Sequence, residues 1–411
     1  MARSFDIPDW YRSRVVSNLK KNRIVLDPRK KDKSPTLLNV GSLQFKIARH
    51  FGFCFGVENA IEIAFKALRE NPGKRVFLLS EMIHNPKVNS DLQERGVSFL
   101  MKTDGTPLVD INSVTPDDVV IVPAFGTTVQ MIEQLEQRGI KTHRYNATCP
   151  FVEKVWTRGK ELGTKGYTII IHGKAYHEET RATFSRAALS GPSVVIRDMS
   201  EAKKIAKLMK GEYSEEEFFR DFHGKYSDGF STREHLQRIG VVNQTTMLAH
   251  ETIEIAEFFR AIMKEKFPSE DASQHFADTK DTLCYATEEN QSAVRELVQS
   301  GGDIAVVVGG YNSSNTVHLS KVCSEKLPTF HVKDAQDIIS SKIIQHWDQD
   351  TLSIKQTQNW LPDTSPLRIL MTAGASSPDS LIEEVIEAIV RVKGVEIDIA
   401  QCVKLSSEYV S

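Results

Sequence analysis

Eight short, nearly unbroken apolar runs recur along the chain from residue 75 onward. They are RVFLLS (75–80), DVVIVPA (118–124), YTIIIHG (167–173), PSVVIRD (192–198), RIGVVNQ (238–244), DIAVVVGG (303–310), PTFHVKD (328–334) and LRILMTAG (367–374). Runs of this kind fit parallel strands covered on both faces, where both sets of side chains are buried. Between them the period changes. VENAIEIAFKALREN (57–71) and MLAHETIEIAEFFRAIMKEKF (247–267) carry the three-and-four spacing of a helix with one apolar face. Strand–helix alternation over most of the chain predicts an α/β protein with parallel sheets. No short fixed period recurs, which excludes a solenoid.

Two segments depart from this rhythm. Residues 1–45 are polar, with Lys20-Lys21, Arg29-Lys30-Lys31 and Lys33, and read as an extension wrapped on the surface or partly disordered. GEYSEEEFFRDFHGKYSDGFSTREHLQ (211–237) is acidic, aromatic and punctuated by Gly and Ser; it reads as an insertion making a surface excursion.

Composition narrows the class. At 411 residues the chain is too long for one ordinary core. A formal net charge of −2 gives no field favouring nucleic acid or an acidic membrane, and neither is expected as a partner. No apolar run approaches the roughly 20 residues that span a bilayer. The N-terminal MARSFDIPDWYRSRVV has no apolar segment and carries Asp6 and Asp9, unlike a secretory or transit signal. The expectation is a cytoplasmic enzyme.

Five cysteines, with no CxxC, argue against a disulfide framework or a local zinc ribbon. Three share a setting. Cys54 sits in GFCFGV, Cys149 in NATCPFVEKV and Cys284 in DTLCYAT, each just before a helical pattern. Ligand sites of open α/β sheets gather where strand ends lead into helices, and a helix N-terminus favours a thiolate. Three thiolates would leave one position of a metal centre open. The spacing itself does not choose between a Lewis-acidic zinc and a 4Fe–4S cluster. Cys323, inside HLSKVCSEKL, and Cys402, in a terminal strand-like piece, read as structural.

Polar residues collect at the same strand ends. VVVGGYNSSNTVHL (306–319) opens a helix with Asn312-Ser313-Ser314-Asn315, more hydroxyl and amide groups than one N-cap needs. VVNQTTML (241–248) repeats the arrangement with Thr245-Thr246, and TAGASSPDSLIEE (372–384) with Ser376-Ser377, where capping alone would explain Ser377. His84 in SEMIHNPKVNS and His177 with Glu179 in GKAYHEET lie at further strand–helix junctions; a histidine can donate to phosphate and a carboxyl group can relay protons. His172 reads as a core residue or as support to the site.

GFCFGV, EMIHNP, NATCPFVEKV, YHEET, NQTTM, DTLCYAT, GGYNSSNT and TAGASSPD, in this order, resemble the 4-hydroxy-3-methylbut-2-enyl diphosphate reductase family, from about residue 46 to about 390. The N-terminal extension and the insertion look like its cyanobacterial and plant-type branch. The resemblance implies three small α/β domains arranged as a trefoil around a central 4Fe–4S cluster. It divides the chain into an N-terminal extension (1–45), domains over 46–149, 150–280 (with the 211–237 insertion) and 281–390, and a C-terminal segment (391–411). It implies Cys54, Cys149 and Cys284 as the cluster ligands. Ser313, Ser314, Asn315 and Ser376 would hold the substrate diphosphate, with His84 and His177 as further contacts. Glu179 would be the proton donor and Thr245 the hydroxyl partner beside the substrate alcohol. Many family members carry Ala-His-Gly where this chain reads Ala124-Phe125-Gly126, so one histidine contact is absent. The implied reaction is reductive dehydroxylation of the allylic diphosphate to isopentenyl and dimethylallyl diphosphate, the last step of the methylerythritol phosphate route. Two electrons would pass from a ferredoxin-type donor through the cluster, whose open iron binds the substrate hydroxyl. A non-redox 4Fe–4S hydro-lyase and a metal-binding regulatory or structural protein are the competing readings; the first would need no reductant and the second would not bind diphosphate.

Overall fold

The computed structural model of the chain describes residues 5–27, 31–277, 282 and 284–396; Cys402 lies outside them. The strands in chain order are β1 (Thr36–Val40), β2 (Leu43–Ile47), β3 (Val76–Leu78), β4 (Val97–Phe99), β5 (Val119–Ile121), β6 (Thr168–His172), β7 (Ser193–Ile196), β8 (Ile239–Asn243), β9 (Phe276–Ala277), β10 (Ile304–Val308), β11 (Thr329–Val332), β12 (Ile343–Asp348), β13 (Ser353–Gln358) and β14 (Leu367–Ala373). The helices are α1 (Arg14–Leu26), α2 (Phe55–Glu70), α3 (Pro86–Glu94), α4 (Val129–Glu136), α5 (Pro150–Thr164), α6 (Glu178–Ser190), α7 (Met199–Met209), α8 (Glu215–Asp221), α9 (Thr232–His235), α10 (Ala249–Lys266), α11 (Ala272–His275), α12 (Tyr285–Gln299), α13 (Ser314–Ser324) and α14 (Asp379–Val392). All eight apolar runs of the sequence form strands, and the α/β class holds, with two wholly parallel sheets and a third that is parallel at its centre. Among the described residues no helix is long and apolar enough to cross a membrane.

The chain packs as two units. The first holds Met1–Glu58, His84–Val88 and Tyr285–Ser411. It is built on a seven-stranded sheet of order β1-β2-β14-β10-β11-β12-β13. Its centre, β2-β14-β10-β11, is parallel. Alternation sorts the side chains of its strands. Ile304, Val306, Val308, Ile369 and Met371 face one core with Val15, Val16 and Leu19 of α1 and Leu381, Ile382, Val385 and Ile389 of α14. Ala305, Val307 and Leu370 face the other, with Val294, Leu297, Leu319 and Cys323. The N-terminal extension is therefore no surface wrapping. Its helix α1 puts three side chains into the core, and β1 closes on β2 through the two-residue turn Gly41-Ser42, with Gly41 at φ +57°. The boundary expected at 45/46 cuts through β2, which pairs with β14.

The second unit holds Asn59–Ile83 and Asn89–Cys284. It carries two parallel sheets, β4-β3-β5 and β7-β6-β8-β9. The four-stranded sheet is covered on both faces: Ile170 joins one core, Ile169 and Ile171 the other. The segment 211–237 corrects its reading as a surface excursion. Phe218, Phe222, Phe230 and Leu236 are buried in the first of these cores. Phe218 stacks on Phe222 at 4.9 Å and on Phe230 at 5.6 Å between ring centroids. The backbone after α8 also covers the free edge of β7, with Val195 N donating to Lys225 O (2.7 Å) and Ser227 N to Ser193 O (2.9 Å).

Candidate functional site

The three cysteines lie where the sequence puts them, each immediately before a helix: Cys54 before α2, Cys149 as the residue capping α5 with Pro150 in its first turn, and Cys284 before α12. Two are tied to neighbouring loops. Cys54 N donates to Ala375 O at 3.1 Å, and Cys149 N to Ala124 O at 2.9 Å. All three are partly exposed and outside disulfides. Cys323, also outside disulfides, differs in burial: it is fully buried among apolar side chains, and burial pushes its thiol up to about 12. Among the described residues no three His, Cys, Asp or Glu side chains form a ready-made metal site. The donor chemistry still suits a cluster: three accessible thiols at helix starts, where the helix dipole favours the thiolate.

In the first unit three loops meet around a polar cradle. The β10–α13 loop brings Ser313, Ser314 and Asn315, all buried, and the β14–α14 loop brings Ser376. The turn before α3 brings His84, buried, whose carbonyl accepts from Ser376 Oγ at 3.2 Å. Asn315 Oδ1 accepts from Ala375 N at 2.9 Å and ties the first two loops. Glycine is required at two approaches: a Cβ on Gly310 would stand 2.6 Å from His84 O, and one on Gly374 would overlap Thr316 Oγ1. Ser313 does cap α13, accepting from Thr316 N at 3.3 Å, so its hydroxyl has a structural task. Asn315 has more than one: its Nδ2 is buried and meets no acceptor among the described residues. Ser377 is not a cap; its Oγ donates to Val308 O at 3.1 Å. Sequence reasoning missed Asn85, fully buried beside His84, whose Oδ1 accepts from Val88 N while Nδ2 finds no acceptor among the described residues. The only signal was an amide directly after the histidine of IHNP.

In the second unit Glu179 is fully buried in the first turn of α6. Its Oε1 accepts from the backbone N–H of Thr245, so two residues 66 positions apart are joined. His177 caps α6, its Nδ1 accepting from Glu179 N at 3.2 Å. That bond fixes the neutral imidazole's proton on Nε2, the form that donates to an anion. Gln244 stitches the loops together: its Oε1 accepts from Lys174 N (3.1 Å) and Thr180 Oγ1 (3.0 Å), and its Nε2 donates to Thr246 Oγ1 (2.6 Å). His172 is a core residue, fully buried with Nδ1 2.8 Å from Thr252 Oγ1; burial pushes its pKa down to about 4. Phe125 meets the His177 ring edge-on at 5.5 Å. Its loop is clamped, because Arg186 stacks on Trp156 at 3.6 Å and donates to Thr127 O at 2.5 Å. Burial lowers that guanidinium to about 10.

Parallel sheets whose strand-end turns carry thiols, a polar cradle and a buried carboxyl group define an α/β protein built to act on a small anion. The chain belongs to the LytB protein family, which it matches over residues 45–390. It is 39% identical over 355 residues to the 4-hydroxy-3-methylbut-2-enyl diphosphate reductase of Synechococcus sp. (strain CC9311), covering 86% of each chain. The solved structure of (E)-4-hydroxy-3-methyl-but-2-enyl diphosphate reductase, the terminal enzyme of the non-mevalonate pathway, superposes with a TM-score of 0.51 at 25% identity, over 85% of this chain and 99% of that one. The E-1-hydroxy-2-methyl-but-2-enyl-4-diphosphate reductase from Plasmodium falciparum shares the fold, with a TM-score of 0.61 at 20% identity over 89% of this chain and 99% of that one.

Proposed function

We propose that the chain is a 4-hydroxy-3-methylbut-2-enyl diphosphate reductase, acting in the cytoplasm on a small allylic diphosphate with electrons from a ferredoxin-type donor. Family membership supports the reading. The observation that carries the site assignment is the buried cradle of Ser313, Ser314, Asn315 and Ser376, with an amide donor left unmet at Asn315. Neutral donors of this kind suit a ligand that brings its own charge and must afterwards leave.

Cys54, Cys149 and Cys284 would hold a 4Fe–4S cluster. When bound, it supplies electrons and an iron without a protein ligand. The chain's own groups do the rest. Ser313, Ser314, Asn315 and Ser376 bind the diphosphate, with His84 and the Nε2–H of His177 as further contacts. Thr245 orients the substrate alcohol. Its backbone N–H donates to Glu179 Oε1 and so orients the carboxyl group that delivers a proton to the departing hydroxyl. The diphosphate is the handle and the allylic alcohol the reacting end, so the substrate's fixed end positions its labile one.

The test is an anaerobic count of iron, zinc and sulfide on wild type and Cys149→Ser, followed by a reduced-dye assay with the allylic diphosphate. Close to four irons and four sulfides, lost in the variant, with dye oxidised in step with product, is the expected result. Stoichiometric zinc without sulfide would overturn the cluster, and turnover without reductant would replace the reductase by a hydro-lyase.

A further inference from the structure

The N-terminal segment has no part in the mechanism above, yet it touches the Cys54 turn at every side chain that flanks the thiol. Phe5 meets Phe55 edge-on, with ring centroids 4.9 Å apart and planes at 77°. Tyr11 meets Phe53 edge-on at 5.8 Å and 73°. Lys20 holds its ammonium 4.5 Å above the Phe51 ring and pairs with Asp379 at 2.7 Å. Between these rings Gly52 sits at φ +80°, where a Cβ would stand 2.6 Å from Asp379 Oδ1 and 3.2 Å from Lys20 Nζ. The segment is itself anchored: Phe5 and Tyr11 are buried, and Val15, Val16 and Leu19 sit in the core.

We infer that residues 5–20 are a clamp on the Cys54 turn, holding its thiol in one orientation and closing its flank to solvent. The Cys54 loop, tied to the β14–α14 loop by Cys54 N donating to Ala375 O at 3.1 Å, needs further stiffness to hold its side chains in one arrangement. Three aromatic or cation–π contacts, one on each phenylalanine, supply it. Phe5, Tyr11 and Lys20 are positioning residues, and none reaches the substrate cradle. The consequence for a cluster rests on the reading of Cys54 as its ligand; the clamp itself does not.

The experiment therefore has two readouts. In the apo protein, kept anaerobic, the rate of iodoacetamide labelling is followed at Cys54 and Cys149 by peptide mass spectrometry. In the reconstituted protein, iron release to a chelator is followed without oxygen. For Phe5→Ala/Tyr11→Ala, Cys54 labelling should rise about tenfold while Cys149 stays within about twofold of wild type, as selective local opening demands. Lys20→Met, which leaves the aromatic anchors in place, should give a smaller rise of the same selectivity, and Tyr11→Phe should behave as wild type. Iron release should accelerate in the same order. Cys54 labelling unchanged in both the double variant and Lys20→Met, or rising only in step with Cys149, would overturn the clamp. Selective Cys54 labelling with unchanged iron release would leave the clamp standing and remove Cys54 from the ligand set.

Discussion

Glu179 and Asn315 each hold one oxygen in a structural bond that an isosteric substitution keeps, which makes clean substitutions possible. Glu179 keeps Oε1 on the Thr245 amide. Glutamine at 179 retains that acceptor and loses the proton. Glu179→Gln should lower kcat by about 10²–10⁴-fold, the usual worth of a general acid, with KM little changed and the cluster spectrum intact. Full activity would remove Glu179 from the mechanism. Asn315 keeps Oδ1 on Ala375 N and leaves Nδ2 unmet. Asn315→Asp preserves the acceptor and sets a carboxylate against the incoming diphosphate. KM should rise by about tenfold or more while kcat falls less, because like charges oppose binding before any chemistry begins; an unchanged KM would place the diphosphate elsewhere. How readable these residues were in the sequence follows from the same geometry. Cys149, with Pro150 behind it, announces a helix start locally. The pairing of Glu179 with Thr245 crosses 66 residues, and no local pattern carries it; each stands out at its own strand–helix junction, and only the family resemblance gives the two a shared substrate. Asn85 was hidden because an amide before a helix looks like an ordinary cap, which half of it is.

Strands such as Ile304–Val308 and Thr168–His172 were legible because burial on both faces leaves continuous apolar runs. Elements at the rims were not. β13 (SIKQTQ) is exposed at nearly every position, and β1 and β2 alternate between buried and exposed sides, so neither gives an unbroken run. The 211–237 segment was misread because its acids and glycines dominate a local view. The informative signal was the aromatic spacing: Phe218 on α8 and Phe222 at its C-cap lie one helical turn apart, and Phe230 stacks on Phe218 from beyond the helix. This gives the segment a stability role that can be measured. Phe218→Ala should cost about 3–5 kcal/mol, the range for a fully buried phenylalanine, whereas Glu216→Ala, at an exposed position of the same helix, should be close to neutral. Urea midpoints of the two variants decide it. Equal, small losses would mean that the insertion is an appendage after all.

Each of the two units holds a fully buried histidine whose pKa burial lowers to about 4, and these give the fold an acid limit. His172 ends β6 in the second unit, and His331 lies in β11 of the first, its Nε2 3.0 Å from Gly309 O. Burial pushes both from 6.5 down to about 4. In the unfolded chain each binds a proton near pH 6.5, so between that pH and about 4 the unfolded state holds protons the folded state refuses. Stability therefore has its full value above about 6.5 and declines as pH falls through this window, by roughly 3 kcal/mol per histidine. The sign is opposite to that of a histidine stabilised by a carboxylate, which would strengthen the fold on acidification. Urea unfolding followed by circular dichroism from pH 8 to pH 4 should show this decline. His331→Gln separates the titration from the hydrogen bond. At pH 8 the variant should be no more stable than wild type, since the imidazole's contact with Gly309 is replaced or lost. Between pH 6.5 and 4 its loss should be shallower by about one histidine's share, so the two curves converge or cross. Parallel curves through that window would mean that His331 is not held neutral, and that the acid limit of the first unit must be sought in its carboxylates.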